Sequence, residues 1–459
     1  MRYVSTRGAA PVLGFRDVLL AGLARDGGLY VTESWPKVGH GTADAPYSRR
    51  AAEVIAAFVG DEIPFDVLLR LCDEAYATFR DPAVAPLRDL GDGHHLLELF
   101  HGPTLAFKDV ALQLVGRLFD HVLAERSQTA TIIGATSGDT GSAAIDGVRG
   151  CANVSIIILY PEGRVSEVQR RQMTTVDAAN VHAVAVQGTF DDCQDLVKAM
   201  FNDADFRDRH RLAAVNSINW ARVLAQVVYY FTAIEQLDRG TTSFSVPTGN
   251  FGNVLSGWIA RRIGADVGHL IVGSNANDIL TRFFETQSMQ SREVVATLSP
   301  SMDIQVSSNF ERLLFEMSGR DGTATARQLA DFRRTDRLDV DAESYGRWIR
   351  PVFRGHRCSD DDTLATIRRI WESHGLLVDP HTAVGIAAAE ACRDDDGQVV
   401  TLATAHPAKF PDAVFRATGQ RPELPEHLAD LHARTERTMS VPNDLDAVRR
   451  VVAERAHPA

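Results

Sequence analysis

The sequence predicts an α/β protein built on parallel sheets and preceded by a mainly helical segment. Two observations carry that reading. Beyond about residue 90, short apolar runs alternate with amphipathic helical stretches, the pattern of βαβ units. Two Gly-rich turns, at 134–141 and 246–253, each follow an apolar run and precede a helical stretch. The length of 459 residues suggests about three domains at roughly 150 residues each, every one large enough to bury its own core.

The elements follow in order. Residues 1–90 read as helices broken by Gly-rich and Pro-rich turns, such as Arg25-Asp-Gly-Gly-Leu29 and 82–86. Between Lys108 and Arg126, Ala111, Leu114, Val115, Leu118 and Val122 fall at helical spacing, so this helix packs one face on a sheet and carries Lys108 in its first turn. The runs 131–134, 154–160 and 181–186 recur at the spacing of one crossover helix and suit one small sheet. The runs 244–246, 269–272 and 398–403 suit a second, larger sheet together with a strand near 96–99. The tail, 422–459, is charged and mostly helix-forming, interrupted by Pro442.

Composition narrows the task. Lys and Arg total 48 against 60 Asp and Glu, and the net charge of -12 opposes adhesion to nucleic acid or anionic membrane. A small-molecule role is expected, with no nucleic-acid or membrane partner. Five dispersed cysteines without a C-x-x-C pair suit a reducing compartment. With no apolar run near the roughly 20 residues of a membrane span and no signal-peptide core in 1–15, a cytoplasmic protein is expected. The runs His94-His95, Asp191-Asp192 and 360–362 lack metal-ligand spacing, so no metal is expected.

The turn Val246-Pro-Thr-Gly-Asn-Phe-Gly-Asn253 presents backbone amides at a helix start, where a phosphate fits; a plain strand-to-helix turn has the same look. Its spacing matches neither G-x-G-x-x-G nor a P-loop. The turn Gly134-Ala-Thr-Ser-Gly-Asp-Thr-Gly141 offers hydroxyls and amides to a carboxylate, or simply caps its helix. Lys108 has apolar neighbours, and burial would free its amine for Schiff-base chemistry; a solvated lysine is the plainer alternative.

Taken together, the segments around Lys108, 136–141 and 249–253 resemble the lysine, carboxylate and phosphate elements of fold-type II pyridoxal phosphate enzymes, the tryptophan synthase β-subunit-like group. Longer blocks resemble the threonine synthase family. They include Tyr3-Val-Ser-Thr-Arg7, 22–30, His101-Gly-Pro-Thr-Leu-Ala-Phe-Lys-Asp109, 134–144, 163–166, 172–175 and 188–194. Further blocks are Asn216-Ser-Ile-Asn-Trp-Ala-Arg222, 247–253, 275–280, Ser307-Ser-Asn-Phe-Glu-Arg312, Asp379-Pro-His-Thr-Ala383 and Ala403-Thr-Ala-His-Pro-Ala-Lys-Phe410. They run in the family's order and match its longer branch, with one departure: Gln287 stands where a glycine is expected.

The resemblance implies two open twisted α/β/α domains with pyridoxal 5'-phosphate in the cleft between them. These would be a large domain of 91–125 and 211–459 and a small mobile one of 126–210, after an N-terminal domain of 1–90. It implies that Lys108 is the Schiff-base lysine and proton shuttle, and that Gly249, Asn250, Phe251, Gly252 and Asn253 cradle the cofactor phosphate. Thr404 would face the pyridine nitrogen and Asp139 the ring hydroxyl. Thr136, Ser137, Gly138 and Thr140 would bind the substrate carboxylate, and Asn216, Ser217 and Arg222 the substrate phosphate. An Arg fork suits that last task by its chemistry alone, though a capped helix start with a solvated Arg would read the same. His101 and His406 receive no catalytic role. The implied reaction takes O-phospho-L-homoserine and water to L-threonine and phosphate in a monomer or weak homodimer. A phospholyase giving 2-oxobutanoate would share the same residues.

Overall fold

The computed structural model describes residues 1–42, 44–237, 240–394 and 397–457. Two sheets organise it. The larger has six strands in the order Phe353–Arg357, Val267–Ser274, Thr242–Pro247, Gln398–Ala403, His94–Glu98 and Leu87–Asp89, all parallel except the last. The smaller has five parallel strands: Thr438–Pro442, Val181–Gln187, Val154–Pro161, Ala130–Ala135 and Leu212–Ala213. Every residue of Val154–Pro161 is buried, which is why this strand is apolar apart from Ser155 instead of alternating. Both groups of strands expected from sequence therefore form, each within one sheet.

Two places differ from the expected boundaries. Leu87–Asp89, assigned to the N-terminal segment, forms the antiparallel edge of the large sheet. Thr438–Pro442, assigned to the large domain, is instead the outer strand of the small sheet, paired with Val181–Gln187. The helix Leu445–Arg455 follows it and packs on the same unit through Val448 and Val452. Pro442 ends an edge strand, where its missing N–H costs no ladder bond. The last two residues of the tail lie outside the described residues.

Ahead of the sheets, Tyr3–Ser5 pairs with Tyr30–Thr32, and the helices Phe15–Ala21, Tyr47–Val59 and Phe65–Tyr76 complete a mainly helical region. It packs on the helix Trp220–Gln236, whose aromatic and aliphatic side chains are buried almost all round. A second helix with little exposed surface, Lys108–Glu125, crosses Asp139–Val148 so closely that a Cβ on Gly116 would fall 2.0 Å from the Gly147 carbonyl oxygen. These two shared helices explain why one apolar cluster runs through all three regions instead of three separate cores.

Candidate active site

The carboxyl ends of Thr242–Pro247, Gln398–Ala403 and His94–Glu98 lie side by side, the place where α/β sheets bind ligands. They lead into the 248–251 turn, Thr404, and the loop that ends at Lys108. That loop is tied to the neighbouring strand end: Phe107 N–H donates to the Thr404 carbonyl at 2.8 Å and His406 N–H to that of Leu105 at 3.0 Å.

Lys108 is the first residue of its helix and only 8% exposed. Its Nζ lies 3.3 Å from Asp139 Oδ2, across the junction with the small sheet. The other Asp139 oxygen receives Gln169 Nε2 at 2.8 Å and Lys409 Nζ at 2.9 Å. Burial drives the Lys108 amine below the usual lysine range. Asp139 opposes that shift, while the positive charges of Lys409 and Arg222 add to it. Burial alone would raise the Asp139 carboxyl, yet Lys409 and Lys108 hold it far below the usual carboxylate range.

The second feature is the turn 248–253, which opens the helix Gly252–Ile263. Phe251 caps that helix in the left-handed region, at φ 60°. Among the described residues no acceptor meets the N–H groups of Gly249, Asn250, Phe251, Gly252 and Asn253, whereas the carbonyls of Gly249 and Asn250 accept from Ser307 Oγ and Asn309. Five adjacent amides left open at a helix start form an anion cradle. A Cβ at Gly249 would sit 2.6 Å from the Ser301 carbonyl, so glycine alone fits beneath it. Asn253 is held by the Tyr229 and Tyr230 hydroxyls, and its buried Nδ2 has no partner among the described residues. These free donors fit the phosphate of the implied cofactor.

The carboxylate turn is partly committed to itself. Thr136 Oγ1 accepts the N–H of Gly138 at 3.0 Å and of Gly141 at 2.9 Å, so Thr136 and Gly138 shape the loop through each other. The hydroxyls of Ser137 and Thr140 have no hydrogen-bond partner among the described residues, and Ser137 is exposed. The third anion element is tied to the first by Asn309, whose Nδ2 donates to the carbonyls of Ser217 at 3.0 Å and Asn250 at 3.2 Å. Arg312 braces this link, donating to the Ile218 carbonyl at 2.7 Å and to Asn309. Asn216 is exposed and Ser217 half-buried.

Arg222 is the most unusual group. It is 3% exposed, gives one bond to the Val215 carbonyl at 3.0 Å, and leaves Nε without a partner among the described residues. No carboxylate pairs with it among the described residues, and burial pushes its guanidinium down to about 10. A buried, unpaired fork is costly unless an anion completes it. His101 pairs with Glu98 at 2.9 Å, and His406 caps a turn through Ala408 N–H, its ring pushed down to about 4 by burial; both are occupied structurally. Sequence reasoning left Lys409, Asn309 and Arg312 without roles, although each lies in a block it singled out.

Comparison with known proteins accords with this geometry. Residues 2–76 match the model for the threonine synthase N terminus, 86–344 that for pyridoxal-phosphate dependent enzymes, and 382–452 that for the threonine synthase C-terminal region. The chain is 52% identical to threonine synthase of Pseudomonas aeruginosa, over 100% of this chain and 99% of the relative. It is 37% identical to the human protein called threonine synthase-like 2, over 96% of this chain and 94% of that one. Among solved structures, the pyridoxal phosphate-bound threonine synthase from Brucella melitensis superposes with a TM-score of 0.97 at 49% identity, covering both chains completely. The chain belongs to the threonine synthase family of fold-type II pyridoxal phosphate enzymes.

Proposed function

We propose that this protein is a threonine synthase that converts O-phospho-L-homoserine and water into L-threonine and inorganic phosphate, the last step of threonine biosynthesis. The observation that carries the reading is Arg222, a buried guanidinium with no counter-ion among the described residues, within electrostatic reach of the buried amine of Lys108. A non-phosphorylated amino acid would leave that charge unanswered. Pyridoxal phosphate, when bound, withdraws electrons from the substrate and so acidifies the carbon-bound protons next to its amine.

The chain's own groups divide the remaining work. Lys108 would hold the cofactor through Nζ, and the amides of Gly249 to Asn253 would take its phosphate. Asp139 would serve the ring hydroxyl, and Thr404 would give the pyridine nitrogen an uncharged partner, which would temper the withdrawal. Ser137 and Thr140 bind the substrate carboxylate within the loop that Thr136 and Gly138 shape. Arg222, with Asn216 and Ser217, holds the substrate phosphate and takes up its charge as the bond to the γ-carbon breaks. Once released, the Lys108 amine removes the proton at the α-carbon and then one at the β-carbon; after phosphate leaves, one proton is returned to the γ-carbon, which becomes the methyl group, and a second to the α-carbon after water adds at the β-carbon.

The unit around the small sheet, 126–210 with 438–455, closes on the site and excludes stray water, which would otherwise divert the reaction to 2-oxobutanoate. All five cysteines are free, which suits action in a reducing compartment such as the cytoplasm; among the described residues no helix is long and apolar enough to cross a membrane. Incubation with O-phospho-L-homoserine and chromatography of the products tests the proposal. Equal amounts of threonine and phosphate are expected. Phosphate with 2-oxobutanoate in place of threonine would make it a phospholyase.

A further inference from the structure

We propose that Lys409 is a positioning residue for Lys108: by holding Asp139 with its own ammonium, it leaves the Lys108 amine free to serve as nucleophile and base. The inference rests on the reading of Lys108 as the cofactor-holding residue. Lys409 is 0% exposed and lies in the turn Pro407–Lys409, just beyond Thr404. It is fixed twice, to Asp139 Oδ1 at 2.9 Å and to the Thr104 carbonyl at 2.7 Å. Thr104 is itself anchored, since its N–H donates to Asp109 at 2.8 Å and its carbonyl also accepts from Gln172 at 3.1 Å. Lys108 has a single, longer contact to the same carboxylate, 3.3 Å.

One buried negative charge thus serves two amines. The charged groups acting on Lys108 are Asp139 from the helix Asp139–Val148, Lys409 from its turn and Arg222 from the helix Trp220–Gln236, so two of the three are positive. The surplus is relieved most readily when the proton leaves the more loosely held amine, which is Lys108. Without Lys409, Lys108 would be the one amine on the Asp139 carboxylate, with Gln169 its neutral neighbour, and its ammonium would be favoured more strongly. An ammonium has no lone pair to attack with. In the capture step the Lys108 Nζ pair forms a bond to the aldehyde carbon of pyridoxal phosphate. The carbonyl oxygen leaves as water, carrying two protons, and no electron donor or acceptor is needed.

The test uses the full-length protein freed of cofactor and then offered pyridoxal 5'-phosphate across a range of pH. Borohydride fixes the adduct, and mass spectrometry of the Lys108 peptide measures the rate. Lys409→Gln, which keeps a donor for the Thr104 carbonyl, is expected to move the midpoint of capture upward by about one pH unit, slowing capture about tenfold below it. Asp139→Asn is expected to move the midpoint in the opposite direction, which a merely structural role would not produce. An unchanged midpoint in either folded variant overturns the inference. Failure of the unmodified protein to form the Lys108 adduct at any pH would instead defeat the cofactor reading on which it rests.

Discussion

Replacing Arg222 by Met separates stability from function in a way that can be measured. Burial lowers the guanidinium from the ordinary arginine range to about 10, which corresponds to roughly 3 kcal/mol of fold stability forgone at neutral pH. Met fills much of the same volume without a charge, so Arg222→Met should raise the unfolding free energy by about 1 to 3 kcal/mol in a denaturant titration, the usual result of exchanging a buried charge for a packed apolar group. The pH dependence follows from the sign. Between about pH 10 and the ordinary arginine range the unfolded chain binds more protons than the folded one, so wild-type stability rises there. The gap to the Met variant should therefore be constant at neutral pH and close above about 10. Activity should move the other way. Loss of one or two charge-assisted contacts to the substrate phosphate is worth about 2 to 4 kcal/mol, or roughly 30- to 1000-fold in kcat/KM for O-phospho-L-homoserine. Inorganic phosphate should raise the Tm of the wild type and not of the variant. A variant that is less stable and fully active would show that Arg222 is a structural residue and refute the reasoning.

Three further outcomes are expected. Lys108→Ala should remove the visible absorbance of the cofactor-loaded protein and its fixation by borohydride; a band that survives reduction on another residue would move the site elsewhere. Gln287 ends the helix Ile279–Thr286 at φ 63°, a left-handed position that costs a non-glycine residue about 1 kcal/mol, so Gln287→Gly should raise the Tm by about 1 °C, and a fall would mean its side chain is needed. Asp109 is fully buried, and burial pushes its carboxyl up to about 6. Its protonated form is favoured in the fold, a contribution complete below the unfolded value near 3.8 and lost as pH rises through about 6. The stability of the wild type relative to Asp109→Asn should then fall by about 3 kcal/mol from about pH 4 to pH 7, and a flat difference would exclude this titration.

The strands and the helix bearing Lys108 were legible because apolar periodicity reports burial directly. The glycine turns were legible because amides at a helix start require residues without bulk. Gln287 was legible in reverse: the expected glycine marks a left-handed backbone that the chain adopts despite the substitution. The strand Thr438–Pro442 was not legible, since it is short, mostly exposed and charged in its surroundings, and its partner at 181–187 lies more than two hundred residues away. Nor does sequence show that Lys409 and Lys108 share one carboxylate, because that requires the two sheets to be docked. Thr136 and Gly138 illustrate a finer limit. A motif names the loop, but only its hydrogen bonds reveal which members face inward to each other and which remain available to a ligand.

The chain passes between the two sheets three times: after the strand His94–Glu98, after Leu212–Ala213 and after Gln398–Ala403. Near the start of those passages stand Lys108, Arg222 and Lys409, in that order. A swing of one sheet against the other would act on all three segments together. On the proposed reading it would draw apart the amine, the fork and the shared carboxylate, so that a gaping protein would be chemically disarmed.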